Sequence, residues 1–324
     1  MHQLGHISQN LMIILGMIMY IFGTIGNIFN ILIFLRWSRL QKKSQGKCNS
    51  SLYLFVSSVS NLIIIIYPLL TRIIFDGFEY SVTKETVFIL CKFRYYILHT
   101  FDLISLTCIC LATLDRYLIS SRKVRLRQKI IIRKRAEQLI LFIIILIAFY
   151  CIPIAIFFDV SNNGRCAIYS PKFLYYYFWI FQICLHSIIP IIFLTILGTL
   201  TYKQLRKMKR TKRIRTLNSD KQLSRMLLLM CIAIVLSSIP YCIEHIYFVM
   251  TPNDPLERTS YIFLYHVITS ILFYTNPVTS FYVFFISTPN FRRHIRQLIF
   301  GKSHTHRFDC ETFSMINPSS TLHE

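Results

Sequence analysis

Seven unbroken apolar runs, each long enough to cross a bilayer, constrain this chain more than any other feature. They cover about residues 8–35, 51–75, 89–118, 137–158, 173–202, 223–250 and 260–286. A helix rises about 1.5 Å per residue, so about 20 residues cross a hydrocarbon core about 30 Å thick. Barrel strands would instead alternate apolar and polar residues over about ten positions, and no such alternation is present. With 54% hydrophobic and only 15% charged residues, the chain has too little polar surface to cover a soluble globule of its size. The expected fold is an all-α membrane protein, a seven-transmembrane helix bundle. Residues 1–9 lack a basic stretch and a small-residue cleavage site, so the first helix is expected to act as its own insertion signal.

The net charge of +22 would point to nucleic acid in a soluble protein, but its distribution argues otherwise. All but seven of the 36 Lys and Arg fall in residues 36–47, 116–135, 203–225 and 292–307. These are alternate connections and the tail, which the positive-inside rule assigns to the cytosol. The expected topology has residues 1–9 as a short extracellular N-terminus, a seven-helix bundle with its surface helix over 10–300 and a disordered cytosolic tail over 301–324. The partners implied by the charge are anionic inner-leaflet lipid and an acidic cytosolic protein, not nucleic acid. The short segment Phe291-Arg292-Arg293-His294-Ile295-Arg296-Gln297-Leu298-Ile299 is apolar at 291, 295, 298 and 299. It reads as a short amphipathic C-terminal surface helix, 289–300, on the inner leaflet.

Ten cysteines show neither a CxxC pair nor Cys/His metal spacing, so neither a zinc site nor any cofactor is expected. Most, such as Cys108, Cys151 and Cys242, lie inside apolar runs and pack as small hydrophobes. Cys91 and Cys166 fall at the extracellular, oxidising face. A disulfide between them would tie the second outer loop to the top of the third helix. In that loop Asn162-Asn163-Gly164 is a turn signal, and two strands folded on it would form a hairpin lid over the bundle mouth.

Polar residues inside the runs are costly in hydrocarbon and therefore informative. Asn27 can hydrogen-bond a neighbouring helix where Gly23 and Gly26 allow close approach. Asn61 and Pro68 mark the second run, with Pro68 expected to kink it. Arg72 is read as the start of the following outer loop. The third run carries His99 and Asp102 on one face at i, i+3 and ends in Asp115-Arg116-Tyr117. The Asn49-Ser50-Ser51 sequon lies on the cytosolic side and is read as chance. His186 and Pro190 lie in the fifth run, Pro240, Tyr241, Glu244 and His245 in the sixth, and Asn276-Pro277 in the seventh.

Gly26-Asn27, Cys91 with Cys166, Asp115-Arg116-Tyr117, Pro190, Pro240, Asn276-Pro277 and Phe291-Arg292 occur in this order, each on its own run. Together they resemble the class A (rhodopsin-like) G protein-coupled receptors over about residues 10–300. The loop lengths and aromatic outer mouth look most like invertebrate neuropeptide receptors of the FMRFamide type. The resemblance implies a plasma-membrane receptor that binds an extracellular ligand, a peptide in that subfamily, and activates heterotrimeric G proteins by helix rearrangement. It implies a switch made of Asp115, Arg116, Tyr117, Asp220, Pro240, Asn276 and Pro277, with Arg116 held at rest by Asp115 and Asp220. The ligand site expected is Asp102, His99, Glu244, His245, Tyr241, His186 and Tyr274, the two carboxylates facing a cationic ligand group. The competing reading of those carboxylates is internal: Asp102 with Ser105 or His99, Glu244 with His245 or loop water.

The chain also departs from the family pattern. Asn61 stands where a sodium-binding aspartate is usual, Ser238 replaces the usual tryptophan, and Gly198 a tyrosine. In the seventh run the usual tyrosine position is Ser280, and the tyrosine is either supplied by Tyr282 or absent altogether. Leu98 stands where amine receptors carry an aspartate, which argues against an amine ligand. A receptor of the same fold for a small molecule is the alternative. A seven-helix transporter or proton channel would need a polar path inward past Asn61 and Ser105 and an inverted repeat. No HExxH, P-loop or Ser-His-Asp pattern suggests an enzyme.

Overall fold

With no water in the membrane to satisfy peptide groups, each apolar run closes its hydrogen bonds within itself as a helix. In a computed structural model of the chain, residues 2–43, 49–78, 86, 88–120, 133–160, 166–168, 170–208 and 260–300 are described, with all of 229–244 except 231, 235, 238 and 242. The helices are α1 (His2–Lys43), α2 (Ser50–Gly77), α3 (Phe88–Ile119), α4 (Arg133–Phe157), α5 (Pro171–Thr201) and the partly described α6 (Ile232–Tyr241). They are followed by α7 (Ser260–Ser287) and α8 (Pro289–Phe300). Helix α1 begins at His2, earlier than the apolar pattern alone suggests. Asp220, His245, Ser238, the 162–164 turn and the tail lie outside the described residues.

Helix α1 packs along α7 and α2 along α3. The first contact depends on Gly26, where a Cβ would lie 2.9 Å from Cβ of Phe281. Beside it, Asn27 donates to the Pro277 carbonyl at 2.9 Å, the interhelical bond expected of it. The inner half of the core contains Ile33, Phe34, Leu54, Ile109, Ala112 and Phe284, and the outer half Met12, Ile64, Leu69, Leu98, Val267 and Tyr274. Leu141, Phe142, Ile145 and Phe149 on α4 are exposed, as side chains solvated by lipid should be.

Prolines shape the helices locally. Pro68 sits inside a π-helical turn, Ile65–Leu69, because it cannot donate to the carbonyl one turn back and its ring pushes that turn open. A longer π segment, Tyr177–Ile188, ends just before Pro190 on α5. The strands Phe158–Val160 (β1) and Cys166–Ile168 (β2) pair antiparallel, with Val160 opposite Cys166, giving the expected hairpin.

Helix α8 presents Phe291 and Ile295 to the bundle and Arg292, Arg293 and Arg296 to the outside. The Phe291 ring lies 6.0 Å from Phe34 and Trp37 and 5.8 Å from Phe284. Burial, with the charges of Arg36 and Arg293, holds the His294 imidazole below its ordinary pKa. It is therefore neutral near pH 7, and the helix carries its charge on the arginines.

The structure departs from the sequence expectation at Arg72 and Tyr282. Arg72 does not open the outer loop: α2 continues to Gly77, and Arg72 is a buried residue of that helix, because Ile73, Ile74 and Phe75 extend the apolar face and Asp76 pairs with Arg72 one turn on. Tyr282 does not replace the missing tyrosine in the bundle interior. Its hydroxyl donates to the Phe22 carbonyl of α1 on the outside of the bundle at 3.1 Å, while Ser280 is buried and accepts from Asn30 at 3.3 Å.

Candidate functional site

Among the described residues, polar groupings interrupt the apolar interior at three levels. The innermost is built on Asp115 and Arg116, both buried. Asp115 Oδ2 accepts from Ser50 Oγ at 2.6 Å and from the Asn49 N–H at 3.1 Å. Its carboxylate thus satisfies the open N-terminus of α2, where unpaired N–H groups and the helix dipole favour an anion. Arg116 Nε donates to the same Ser50 hydroxyl at 3.0 Å. Acid, hydroxyl and guanidinium therefore form one node between α2 and α3, with Tyr117 half-buried beside it. Ser50 was not singled out by sequence. Its only signal was the sequon, and with Asn49 2% exposed that sequon is sealed inside the protein.

Halfway along α3, Ser57 and Ser105 lie 2.8 Å apart and Ser105 donates to Asn61 Oδ1 at 2.7 Å. Ser105 is thus committed to α2, and it is not the partner of Asp102. That partner is His186, whose Nε2 lies 3.3 Å from Asp102 Oδ2. His186 Nδ1 lies 3.0 Å from the Phe181 carbonyl, five residues back in the π segment. A carbonyl only accepts, so Nδ1 carries a hydrogen, while Nε2 makes no hydrogen bond among the described residues. The His99 ring stands edge-on to His186 at 5.3 Å, and Tyr177 and His99 Nε2 lie 2.6 Å apart. Asp102, His186 and Tyr241 line one small cavity together with Gln182, Ser237 and Asn276, so α3, α5, α6 and α7 all meet there.

The third grouping joins α2, α6 and α7. Glu244, fully buried, accepts from the Thr269 hydroxyl and from His266. The other nitrogen of His266 faces Arg72, which also donates to Ser270 at 2.8 Å and pairs with Asp76. Arginine has no acceptor, so His266 accepts from it through Nε2 and donates to Glu244 through Nδ1. Glu244 thus has partners on α7, and the expected contact with His245 lies outside the described residues. Arg72, His266 and Thr269 were missed because a lone arginine at the end of an apolar run reads as its boundary. The available signal was the stripe His266, Thr269 and Ser270 on one face of α7.

Tyr274 belongs to the outer apolar core, apart from the Asp102 cavity. The site expected as one cluster is therefore two, one around Asp102 and one around Glu244. Above them Cys91 and Cys166 form a disulfide with Cα atoms 5.7 Å apart, and Phe158 of the hairpin stacks on Tyr95 at 4.3 Å. Among the described residues no group of three His, Cys, Asp or Glu could hold a metal ion.

The disulfide supports an equilibrium prediction. It closes a separation of 75 residues, for which chain entropy gives a stabilisation of about 4 kcal/mol. Cys91→Ser and Cys166→Ser should lower the thermal midpoint equally, and the double variant no further. Additive losses would contradict the bridge.

Six apolar helices long enough to cross a membrane, with a further one partly described, carry a disulfide-tied hairpin and buried polar clusters. The family described as 7 transmembrane receptor (rhodopsin family) matches residues 26–279, and the chain belongs to it. It is a multi-pass plasma-membrane receptor and not an enzyme. No curated protein matches the sequence.

Proposed function

We propose that the chain is a receptor for an extracellular neuropeptide, of the kind bound by invertebrate FMRFamide-type receptors, and that it activates heterotrimeric G proteins through Arg116. The N-terminus is outside and the tail cytosolic, as the basic connections require. The observation that carries this reading is the placement of two polar sites on one helix. Asp102 and Arg116 are fourteen positions apart on α3, about 21 Å along its axis, with Leu106, Ile109 and Ala112 buried between them. The outer site lies under the hairpin and the inner one binds α3 to α2.

In this account the mechanism is a population shift. A ligand that binds more tightly when α6 has moved outward favours that state by the difference in affinity. At rest, Glu244 ties the outer end of α6 to α7, and the Asp115–Ser50–Arg116 node holds the inner end of α3. A peptide rests in the mouth and sends one donor-bearing group down to Asp102, beside which His186 lies at 3.3 Å.

The test is Asp102→Asn, assayed with agonists found by screening amidated peptides on a G protein reporter. Loss of the carboxylate should weaken a cationic agonist at least about tenfold, the scale of one charge-assisted hydrogen bond, at unchanged surface expression. Equal potency in both forms removes Asp102 as the counter-ion.

A further inference from the structure

Among the described residues of the outer half, Arg94 is a cation whose partners are incomplete. Arg94, the first residue after the π turn Phe88–Phe93, is 4% exposed. Its guanidinium carbon lies 4.9 Å from the Phe75 ring centroid and 4.6 Å from that of Tyr95. Among the described residues it has no carboxylate and no hydrogen-bond partner, and none of its nitrogens is sealed from solvent. Neighbouring cations are provided for: Lys92 lies 3.7 Å from Asp159 of the hairpin, and Arg72 has Asp76, His266 and Ser270.

A buried guanidinium is costly unless a counter-charge and acceptors reach it, and two ring faces supply only part of that. Its low exposure and its two ring contacts place it against Phe75 of α2 and Tyr95 of α3. Tyr95, one of its two rings, is stacked under Phe158 of the hairpin. The position is thus beside the hairpin.

We infer that Arg94 is the anchor for a carboxylate of the extracellular ligand. This rests on the receptor reading above and adds a second, oppositely charged point to it. Arg94 and Asp102 are eight positions apart on α3, about 12 Å along the axis. An extended peptide advances about 3.3 Å per residue, so a ligand touching both spans three or four residues, with its acidic group outermost and its donor group deep. An acidic side chain and a free C-terminus both present the chemistry that Arg94 takes, two oxygens matching the guanidinium fork.

The test uses purified full-length chain in phosphatidylcholine nanodiscs, with 4-phenylbutyrate and its amide, 4-phenylbutyramide, as probes. The carboxylate should raise the thermal midpoint by about 3 °C at ten times its dissociation constant, and the amide should not. Arg94→Gln should weaken the carboxylate effect at least about tenfold, and Arg94→Lys should retain part of it. Equal shifts from both probes, no shift, or equal shifts in wild type and Arg94→Gln overturn the assignment. Loss of the wild-type shift when phosphatidylglycerol replaces part of the lipid also overturns it, because the anion would then be a headgroup.

A second arm separates this from the peptide reading. Tetrapeptide libraries made with free carboxylate and with carboxamide termini are screened on a G protein reporter. Active peptides that lack any carboxylate leave the peptide reading standing and remove Arg94. A carboxylate probe that binds through Arg94, with no active peptide in either library, leaves Arg94 standing and makes the ligand a small acid.

Discussion

Replacing Glu244 with alanine should lower the stability of the receptor more than any other single change in its outer half. The carboxylate is fully buried and accepts from both Thr269 and His266. Without it, the Arg72–His266 contact loses the charge at its far end, and Asp76 remains as the one carboxylate beside Arg72 among the described residues. Breaking a buried pair by removing one partner costs about 3–5 kcal/mol, which in a domain of this size lowers the thermal midpoint by roughly 10 °C. Glu244→Gln keeps an acceptor for Thr269 while losing the charge, and should fall between alanine and wild type. The check is thermal unfolding of the three forms in identical nanodiscs. A midpoint for Glu244→Ala within a degree or so of wild type would contradict the contacts drawn here.

The second large effect belongs to Asp115. Its carboxylate is held by Ser50 and by the Asn49 N–H at the start of α2, and it shares Ser50 with Arg116. Asp115→Asn keeps an oxygen for the helix N-terminus but removes the charge that favours the closed node. The resting state should lose on the order of 1–2 kcal/mol, a shift of roughly tenfold toward the active state. Ligand-independent G protein activation should rise accordingly, measured against surface expression. Basal signalling no higher than wild type in a variant that reaches the surface would show that the node does not restrain the receptor.

The helical spans were legible because hydrocarbon imposes a length and forbids unpaired backbone, a signal spread over twenty residues at a time. The hairpin and the Cys91–Cys166 bridge were legible too, from a turn signal and two cysteines on the oxidising face. Partner choice across helices was not. The internal reading of Asp102 gives it Ser105 or His99 on its own helix, but His186 of the π segment of α5 lies beside it. Ser105 is drawn instead to Asn61. Arg72 read as the end of a span because charge marks a boundary in sequence, and its partners lie almost two hundred residues away on α7. Asp115 and Arg116 stood out as a motif, but Ser50, which joins them, carried no motif except a misleading sequon. Tyr282 shows the same limit, since a one- or two-residue rotation on α7 decides whether a tyrosine faces the bundle or α1.

The account's central claim is that Arg116 transmits what the outer site receives. The most direct measurement is nucleotide exchange on a purified heterotrimeric G protein by the reconstituted chain, with an active tetrapeptide from the libraries above, comparing wild type with Arg116→Ala. The account predicts that the variant loses peptide-stimulated exchange while the peptide still raises its thermal midpoint as it does in wild type. Peptide-stimulated exchange by Arg116→Ala at the wild-type rate would contradict it.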